Sequence, residues 1–309
     1  MKHLLSLTAL LLGATFANAQ QFPLRSTSML NPFQDHAAAA GSRECLDLHM
    51  GFRSQWSGFE GAPSTGFANL HGKLASNGPN FSGIGGRIET DEAAAWSSLS
   101  LSLAYSYNMK LASGARLAAG LGLGAFQQKL NWNGISLPDY QVADDPAFVG
   151  NSQFVAPLLD ASIWYYDRDV YGGFTIGNVA QPAVAQVAAN TRLRRYVTGT
   201  IGAQVELDGP WALQPVATVR GTSGVPLAVD LVAFLDYNSV IGVGVGYRNQ
   251  SAIMAMLKFN VADYISVGYA YDWTLSTMNA ASPSTHEFVI GINACDGKSH
   301  GAISCPAYN

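Results

Sequence analysis

The sequence predicts an all-β protein: a transmembrane antiparallel β-barrel of about 14 strands, preceded by a cleaved signal peptide. Three observations predict this fold. Large apolar residues alternate with small or polar residues along most of the chain. Charged residues make up only 12% of the chain, about half of the roughly 25% found in ordinary soluble domains. A secretory leader precedes the alternating segments.

The alternation has a period of two and is strict in several stretches. It runs through residues 99–107, 117–124, 241–248 and 265–274. Because successive side chains of a strand point to opposite faces, each strand has one apolar face and one small or polar face. Barrels with lipid outside and a polar lumen inside have this pattern. A soluble secreted β-sandwich is the alternative, but its outward face should carry more Lys, Glu and Asp.

The first 19 residues have the composition of a signal peptide. Lys2 and His3 form a short basic start, residues 4–12 are apolar, and Ala17-Asn18-Ala19 resembles an A-x-A cleavage site. An N-terminal anchor helix is the alternative, but the apolar run is shorter than the roughly 20 residues that span a bilayer. Since no later apolar run is long enough either, we expect the membrane to be crossed by strands.

These observations divide the chain into four regions. We expect a signal peptide over residues 1–19, an N-terminal periplasmic segment over residues 20–43, the barrel over residues 44–294, and a C-terminal periplasmic tail over residues 295–309.

The strands and loops of the barrel follow from the pattern. The first strand is expected from about Glu44, with Asp47, His49 and Arg53 on its lumen face. Residues 131–156 predict a long extracellular loop, and residues 181–192 predict a second one with a helical turn. Other strands and hairpins are predicted over residues 65–74, 111–127, 161–177 (turning at 167–169), 195–207, 211–221, 227–237, 239–248, 252–260, 264–274 and 287–293.

Three cysteines in an exported chain raise the question of a disulfide. The first and last strands of a closed barrel pair, so we expect Cys45 to lie near Cys295 or Cys305. A Cys295–Cys305 bridge that closes a tail loop and three reduced thiols are the alternatives. A zinc site formed by the cysteines and His300 matches no standard spacing.

The motifs that would indicate an enzyme are incomplete. His286-Glu287 begins a zinc-protease motif, but Ile290 stands where the second histidine is needed. The glycines near Gly83 and Gly120 do not form a nucleotide loop, and glycines spaced by two inside strands predict close packing on the lumen side. We therefore expect no catalytic residue, metal or cofactor, and a barrel enzyme is the less favoured interpretation. The net charge of −4 also argues against nucleic acid as a partner.

An ordered series of motifs resembles the PorP/SprF family of outer-membrane proteins of the type IX secretion system. After the leader come Asn31-Pro32 and Ala40-Gly41, and the most distinctive block follows the first strand. The positions of that block are Arg53, Gln55, Trp56, Gly58, Gly61, Ala62, Pro63 and Thr65. Later matching positions are Gly85, Gly86, Asp91, residues 104–107 and 246–248, Gly268, Tyr269, Ala270, Tyr271, Asp272, His286 and Glu287.

The resemblance implies a non-enzymatic protein of the Gram-negative outer membrane, in contact with outer-membrane lipid. It implies help in exporting or anchoring a secreted surface protein, an adhesin with a type IX C-terminal domain, and in some members a link to gliding. Periplasmic ring proteins and lipoproteins of the secretion machine are further expected partners. We expect loops 131–156 and 178–192 to hold the cargo, residues 31–41 and the tail to face the machinery, and strand addition by the cargo as one binding mode.

A passive channel for small solutes is the alternative function. A barrel of about 14 strands is wide enough for water, whereas small barrels fill with side chains. The charged lumen candidates would then either line a pore or pair and close it; they are Asp47, His49, Arg53, Asp230, Asp236 and Asp272.

Overall fold

The computed structural model describes residues 24–43, 45–74, 76, 78–131, 152–184, 192–282, 284–295 and 305–308. The predicted signal peptide, most of loop 131–156, His300 and the first part of the tail lie outside these residues. No helix in the described ranges is long and apolar enough to cross a membrane.

One continuous antiparallel sheet makes up the barrel. Its strands are β1 (Asp47–Ser54), β2 (Ser64–Lys73), β3 (Phe81–Ala93), β4 (Trp96–Lys110), β5 (Arg116–Leu130), β6 (Ser152–Tyr166), β7 (Val170–Gly177), β8 (Tyr196–Ala203), β9 (Val205–Glu206), β10 (Trp211–Thr222), β11 (Ala228–Tyr237), β12 (Ile241–Arg248), β13 (Ala252–Ala262), β14 (Ile265–Thr274) and β15 (Ser284–Asn293).

The sheet closes because β1 pairs with β15, from Asp47 opposite Asn293 to Ser54 opposite His286. The other strands pair with their neighbours along the chain, except that β8 and β9 do not pair with each other. The short β9 continues β8, since both pair with β10 in one register. The predicted antiparallel barrel of about 14 strands is therefore confirmed.

Burial follows the predicted alternation. In β4, Leu101, Leu103 and Tyr105 point outward, and Leu103 is 70% exposed. Ser102 and Ser106, between and beside them, are buried in the lumen. The outer wall is thus apolar around the barrel, as a lipid-facing surface requires.

The lengths of the connections define the two ends of the barrel. At the end that holds the start of β1, the turns after β6, β11 and β13 are residues 167–169, 238–240 and 263–264. The long connections, residues 131–151 and 178–195, lie at the opposite end. Since outer-membrane barrels have short periplasmic turns and long extracellular loops, the termini of the barrel are periplasmic.

One predicted loop is shorter in the structure, and one predicted turn lies outside the described residues. Loop 131–156 was predicted too long, because residues 152–156 belong to β6 and pair with β5, Ala156 lying opposite Phe126. Residues 152–156 are held in the sheet by their pairing with β5, and the composition of these residues does not reveal that pairing. The helical turn expected within 181–192 falls mainly on residues 185–191, outside the described residues.

The N-terminal segment lies in the lumen and not in the periplasm. Residues 24–43, here called the lumen segment, form a 3₁₀ turn (Thr27–Leu30), a short helix α1 (Pro32–Asp35) and a second 3₁₀ turn (Ala37–Ala39). Phe33 and residues 37–40 have no exposed surface. The expectation of a periplasmic segment is corrected here: its side chains and backbone are surrounded by the inner wall.

Glycines on the inner wall explain how the lumen segment fits. A Cβ atom on Gly83 would lie 2.1 Å from the carbonyl oxygen of Ala40, and one on Gly120 would lie 2.4 Å from the amide nitrogen of Ala38. A Cβ on Gly85 would meet the Phe33 ring at 2.5 Å. The predicted close packing on the lumen side is therefore confirmed, and the group that packs there is the lumen segment.

The end of the chain also enters the lumen. Residues 305–308 are buried, and the 3₁₀ turn Pro306–Tyr308 packs near β7, β8 and the first turn of the lumen segment. This part of the predicted periplasmic tail is therefore inside the barrel, because Cys305 and the ring of Tyr308 find apolar neighbours there.

Candidate functional site: the filled barrel lumen

Charged side chains fill the extracellular half of the lumen and pair with one another. Four arginines and five carboxylates form one chain of contacts, in which Arg248 and Asp272, 3.6 Å apart, join the two halves: Arg25, Arg53, Arg220, Arg248, Asp35, Glu89, Asp230, Asp272 and Glu287. We call this set the ion network. All but Glu89 are almost completely buried, and buried charges persist only when they are paired and hydrogen-bonded.

Arg53 contacts carboxylates of the two strands that follow β1 around the closed sheet, Glu287 directly opposite it on β15 and Asp272 on β14. Its Nη1 lies 2.9 Å from Glu287 Oε2, and its Nη2 lies 2.8 Å from Asp272 Oδ2. Glu287 also accepts hydrogen bonds from the backbone amides of Ser26 (2.8 Å) and Thr27 (3.1 Å). Three family-motif residues from β1, β14 and β15 thus hold the start of the lumen segment.

Asp35 links the lumen segment to the opposite wall. It pairs with Arg25 and, at 3.1 Å, with Arg220, which in turn lies 2.7 Å from Asp230. Burial opposes ionisation of Asp35, but the charges of Arg25 and Arg220 outweigh it and hold the pKa of the Asp35 carboxyl well below its usual value. The carboxylate is therefore charged, and it joins Arg25 of the lumen segment to Arg220 on β10.

The rest of α1 and the following turn are held by neutral groups and one more ion pair. Gln34 accepts a hydrogen bond from Asn69 at 2.7 Å, and its carbonyl oxygen faces Arg87, which pairs with Asp160. His36 lies between the hydroxyls of Thr175 (2.8 Å) and Thr200 (3.0 Å). Burial lowers the pKa of His36 to about 4, so the ring is neutral at neutral pH and the hydroxyls suffice as partners.

His71 and Asp47 form the centre of a second polar cluster at the periplasmic end. The Nδ1 atom of His71 accepts the amide of Gly41 at 3.1 Å, and its Nε2 lies 3.3 Å from the Tyr308 hydroxyl and 3.4 Å from Asp47. Asp47 also pairs with Arg43 at 3.0 Å. The end of the lumen segment and Tyr308 therefore meet on β1 and β2.

A disulfide lies beside this cluster. Cys45 and Cys295 are bonded, with their Cα atoms 5.1 Å apart, and Cys305 is a free thiol buried in the lumen. The alternative Cys295–Cys305 bridge is thus not the one present. The bridge links the chain just before β1 to the chain just after β15.

The motif block after β1 forms an extracellular loop over residues 55–63. Trp56 has a positive φ of 52° and donates its amide to the Thr285 hydroxyl at 3.0 Å. This contact, with the amide of Ser57 on the carbonyl of Ser284, folds the loop over the start of β15. Gln55, Gly58, Gly61 and Pro63 are in the same loop, outside the ion network.

The remaining motif positions have separate surroundings. Asn31 and Pro32 lie buried where α1 begins, and Gly41 turns the chain toward β1 with a φ of +76°. Asp91 accepts the Thr65 hydroxyl at 2.6 Å. His286 is on the outer side of β15, where its Nδ1 meets the Tyr269 hydroxyl at 2.8 Å and its ring packs edge-on against Tyr271.

Several residues of the lumen were missed by the sequence analysis. Arg25, Asp35, Glu89 and Arg220 were not singled out, although Glu89 and Arg220 have the lumen parity of their strands. The available signal was a charged residue at a lumen-facing position of a strand whose other residues are apolar or small. Arg25 and Asp35 carried no such signal, because their segment has no strand period.

The six charged lumen candidates are all buried. Arg53, Asp230 and Asp272 belong to the ion network, Asp47 and His49 lie in the periplasmic cluster, and Asp236 accepts the amide of Ser239 at 2.7 Å. These six residues therefore do not line an open pore; they pair and help to fill the barrel.

The comparisons with known proteins give a family match over most of the chain. A family model described as type IX secretion system membrane protein PorP/SprF matches residues 17–292. No curated protein matches the chain.

Solved structures that resemble the chain are bacterial barrels with low identity. The outer membrane protein Omp33 of Acinetobacter baumannii is 12% identical with a TM-score of 0.41, over 81% of this chain and 99% of that one. A mutant porin of Rhodopseudomonas blastica is 7% identical with a TM-score of 0.35, over 81% of this chain and 98% of the porin.

Proposed function

Because the chain belongs to the PorP/SprF family of type IX secretion system membrane proteins, we propose that it is a non-enzymatic outer-membrane protein that holds a secreted surface protein during export or anchoring. The cargo is an adhesin with a type IX C-terminal domain, and in a gliding organism this anchor serves motility. The observation that carries the proposal is the filled lumen: buried ion pairs fix the lumen segment to the walls, which suits a binding platform better than a conduit.

The cargo binds at the extracellular end. Loops 131–151 and 178–195 are the longest connections there, and loop 55–63 adds an ordered surface with Phe59 half exposed. An exposed aromatic side chain on an ordered loop is the kind of residue that anchors protein interfaces. Strand addition by the C-terminal domain is one mode of binding.

Periplasmic ring proteins and lipoproteins of the secretion machine bind at the other end. The lumen segment is buried, so residues 31–41 do not provide that surface. The short turns, such as residues 167–169 and 207–210, are exposed there instead and are the surface that we assign to these partners.

Mass spectrometry of proteins that co-purify from gently solubilised outer membranes tests this function. We expect a large surface protein with a type IX C-terminal domain. The variant Phe59→Asp should reduce its recovery several-fold, whereas Gln250→Asp, which changes an exposed residue of the short extracellular turn after β12, should leave it unchanged. Recovery of neither cargo nor secretion proteins would contradict the proposal.

The passive channel is the second candidate, supported only by the barrel itself. Planar bilayer recordings distinguish the two functions. We expect no steady conductance from the full-length protein, because the lumen segment occupies the lumen. A constant open pore would favour the channel.

A further inference from the structure

We propose that the outer wall of β8 and β10 binds one phosphorylated lipid of the outer leaflet. Its phosphate lies on Arg194 and Arg195 at the extracellular rim, and an acyl chain lies in a groove farther down the same strands. The inference concerns the membrane face of the barrel and does not depend on the proposed function.

The groove is an apolar depression of about 690 Å³ in the wall from β7 to β12. Its centre consists of small residues on neighbouring strands: Ala203, Pro215, Ala217 and Ala233. Pro215 has no amide hydrogen, and the ladder between β10 and its neighbours β8 and β9 is interrupted beside it. Larger side chains border the centre, among them Ile201, Leu231 and Tyr247.

A shallow path leads from the groove to the rim along β8. The outward residues above Ile201 are Gly199 and Val197, followed by Arg195. A Cβ on Gly199 would have only the edge of Phe174 near it, at 3.8 Å. Nothing bulky therefore stands between the rim and the groove on this strand.

The distance suits one lipid leaflet. Arg195 and Ile201 are six residues apart, which is about 20 Å along a strand. With a strand tilt of roughly 40°, Ile201, the groove residue of β8 nearest the rim, lies about 15 Å below the rim. That depth is half of the roughly 30 Å hydrocarbon core, the reach of an acyl chain whose headgroup is at the rim.

The charges at the rim suit a phosphate. Arg194 donates from Nη1 to the carbonyl oxygen of Ser223 at 2.6 Å, and Arg195 donates from Nε to the carbonyl oxygen of Val179 at 3.1 Å. Both side chains are exposed, and within the described part of the chain neither forms an ion pair. The two guanidinium groups keep further donors for bidentate contact with phosphate oxygens.

Native mass spectrometry of the full-length protein in micelles tests the proposal, with lipid A that carries phosphate and the same lipid after dephosphorylation. We expect one phosphorylated lipid to be retained. R194Q/R195Q should reduce retention at least tenfold, which corresponds to about 1.4 kcal/mol, because the charge-assisted hydrogen bonds to the phosphate are lost. Ala217→Trp, which fills the groove, should also reduce it.

The matched control is Arg168→Gln, which removes an exposed arginine from a periplasmic turn and should retain the lipid like wild type. Heat-modifiable migration on gels verifies that each variant forms the barrel. The proposal would be overturned if the dephosphorylated lipid were retained equally, or if R194Q/R195Q retained the lipid as well as wild type does. A protein partner cross-linked at Ala217 in place of lipid would also overturn it.

Discussion

At the residue scale, Glu287 is the acceptor that ties the barrel wall to the lumen segment. It pairs with Arg53 and accepts the amides of Ser26 and Thr27. Glu287→Gln keeps the shape but leaves Arg53 with less compensation in a buried site, so we expect a loss of about 3–5 kcal/mol in the free energy of unfolding. Urea unfolding of the purified protein in micelles measures it.

The matched control is Glu60→Gln in the exposed loop after β1, which should change the free energy of unfolding by less than about 0.5 kcal/mol. If the two variants unfold alike, the ion network does not stabilise the barrel as described.

Gly83 and Gly86 provide a second comparison at this scale, on opposite faces of one strand. A Cβ on Gly83 would lie 2.1 Å from the backbone of Ala40, whereas one on Gly86 would lie 3.7 Å from the nearest atom, on Leu103. Gly83→Ala should therefore displace the lumen segment and increase its cleavage by protease, while Gly86→Ala should not. Limited proteolysis followed by N-terminal sequencing measures the difference; equal cleavage would contradict the packing argument.

The direction of single side chains was predictable, but their partners were not. The period of two is enough to place Asp47, His49 and Arg53 on the lumen face of β1. Their partners, such as Glu287 for Arg53, are set by the closure of the barrel between chain positions far apart in sequence. Which charges pair is a property of the closed barrel.

At the element scale, the lumen segment is the part of the fold that the sequence pattern does not reveal. Its helix α1 has four residues, too few to show a helical period or to be stable alone. It is stabilised by the walls, which are formed by other parts of the chain. The inward glycines of β3 and β5 were the one local sign that something packs against them.

Asp35 offers a test of the lumen segment as an element. Asp35→Lys would place a third positive charge beside Arg25 and Arg220, and like charges at this distance repel strongly in a buried site. We expect the segment to leave its position and the protein to conduct ions in planar bilayers. Asp263→Lys, in an exposed periplasmic turn, should conduct no more than wild type. An Asp35→Lys variant that forms the barrel but does not conduct would contradict the expectation.

At the scale of the whole molecule, the fold was predictable because alternation is a local signal repeated in every strand, and because lipid outside requires apolar residues at every second position. Closure was predictable because a sheet that crosses a bilayer cannot leave the backbone groups of its edge strands unpaired in lipid. What fills the lumen and which cysteines meet required the three-dimensional arrangement, since residues 24–43 and 305–308 both lie in the barrel interior.

The disulfide is the covalent counterpart of that closure. Cys45 and Cys295 are separated by 250 residues, so the bridge removes much of the freedom of the unfolded chain. The chain-entropy model gives up to about 5 kcal/mol for such a loop. The variant Cys45→Ser/Cys295→Ser should therefore unfold at a lower urea concentration than the oxidised wild type. Reductant should shift the wild type to the same midpoint and leave the double variant unchanged. If reductant changes the unfolding midpoint of neither protein, strand pairing between β1 and β15 alone determines the stability of the closed barrel.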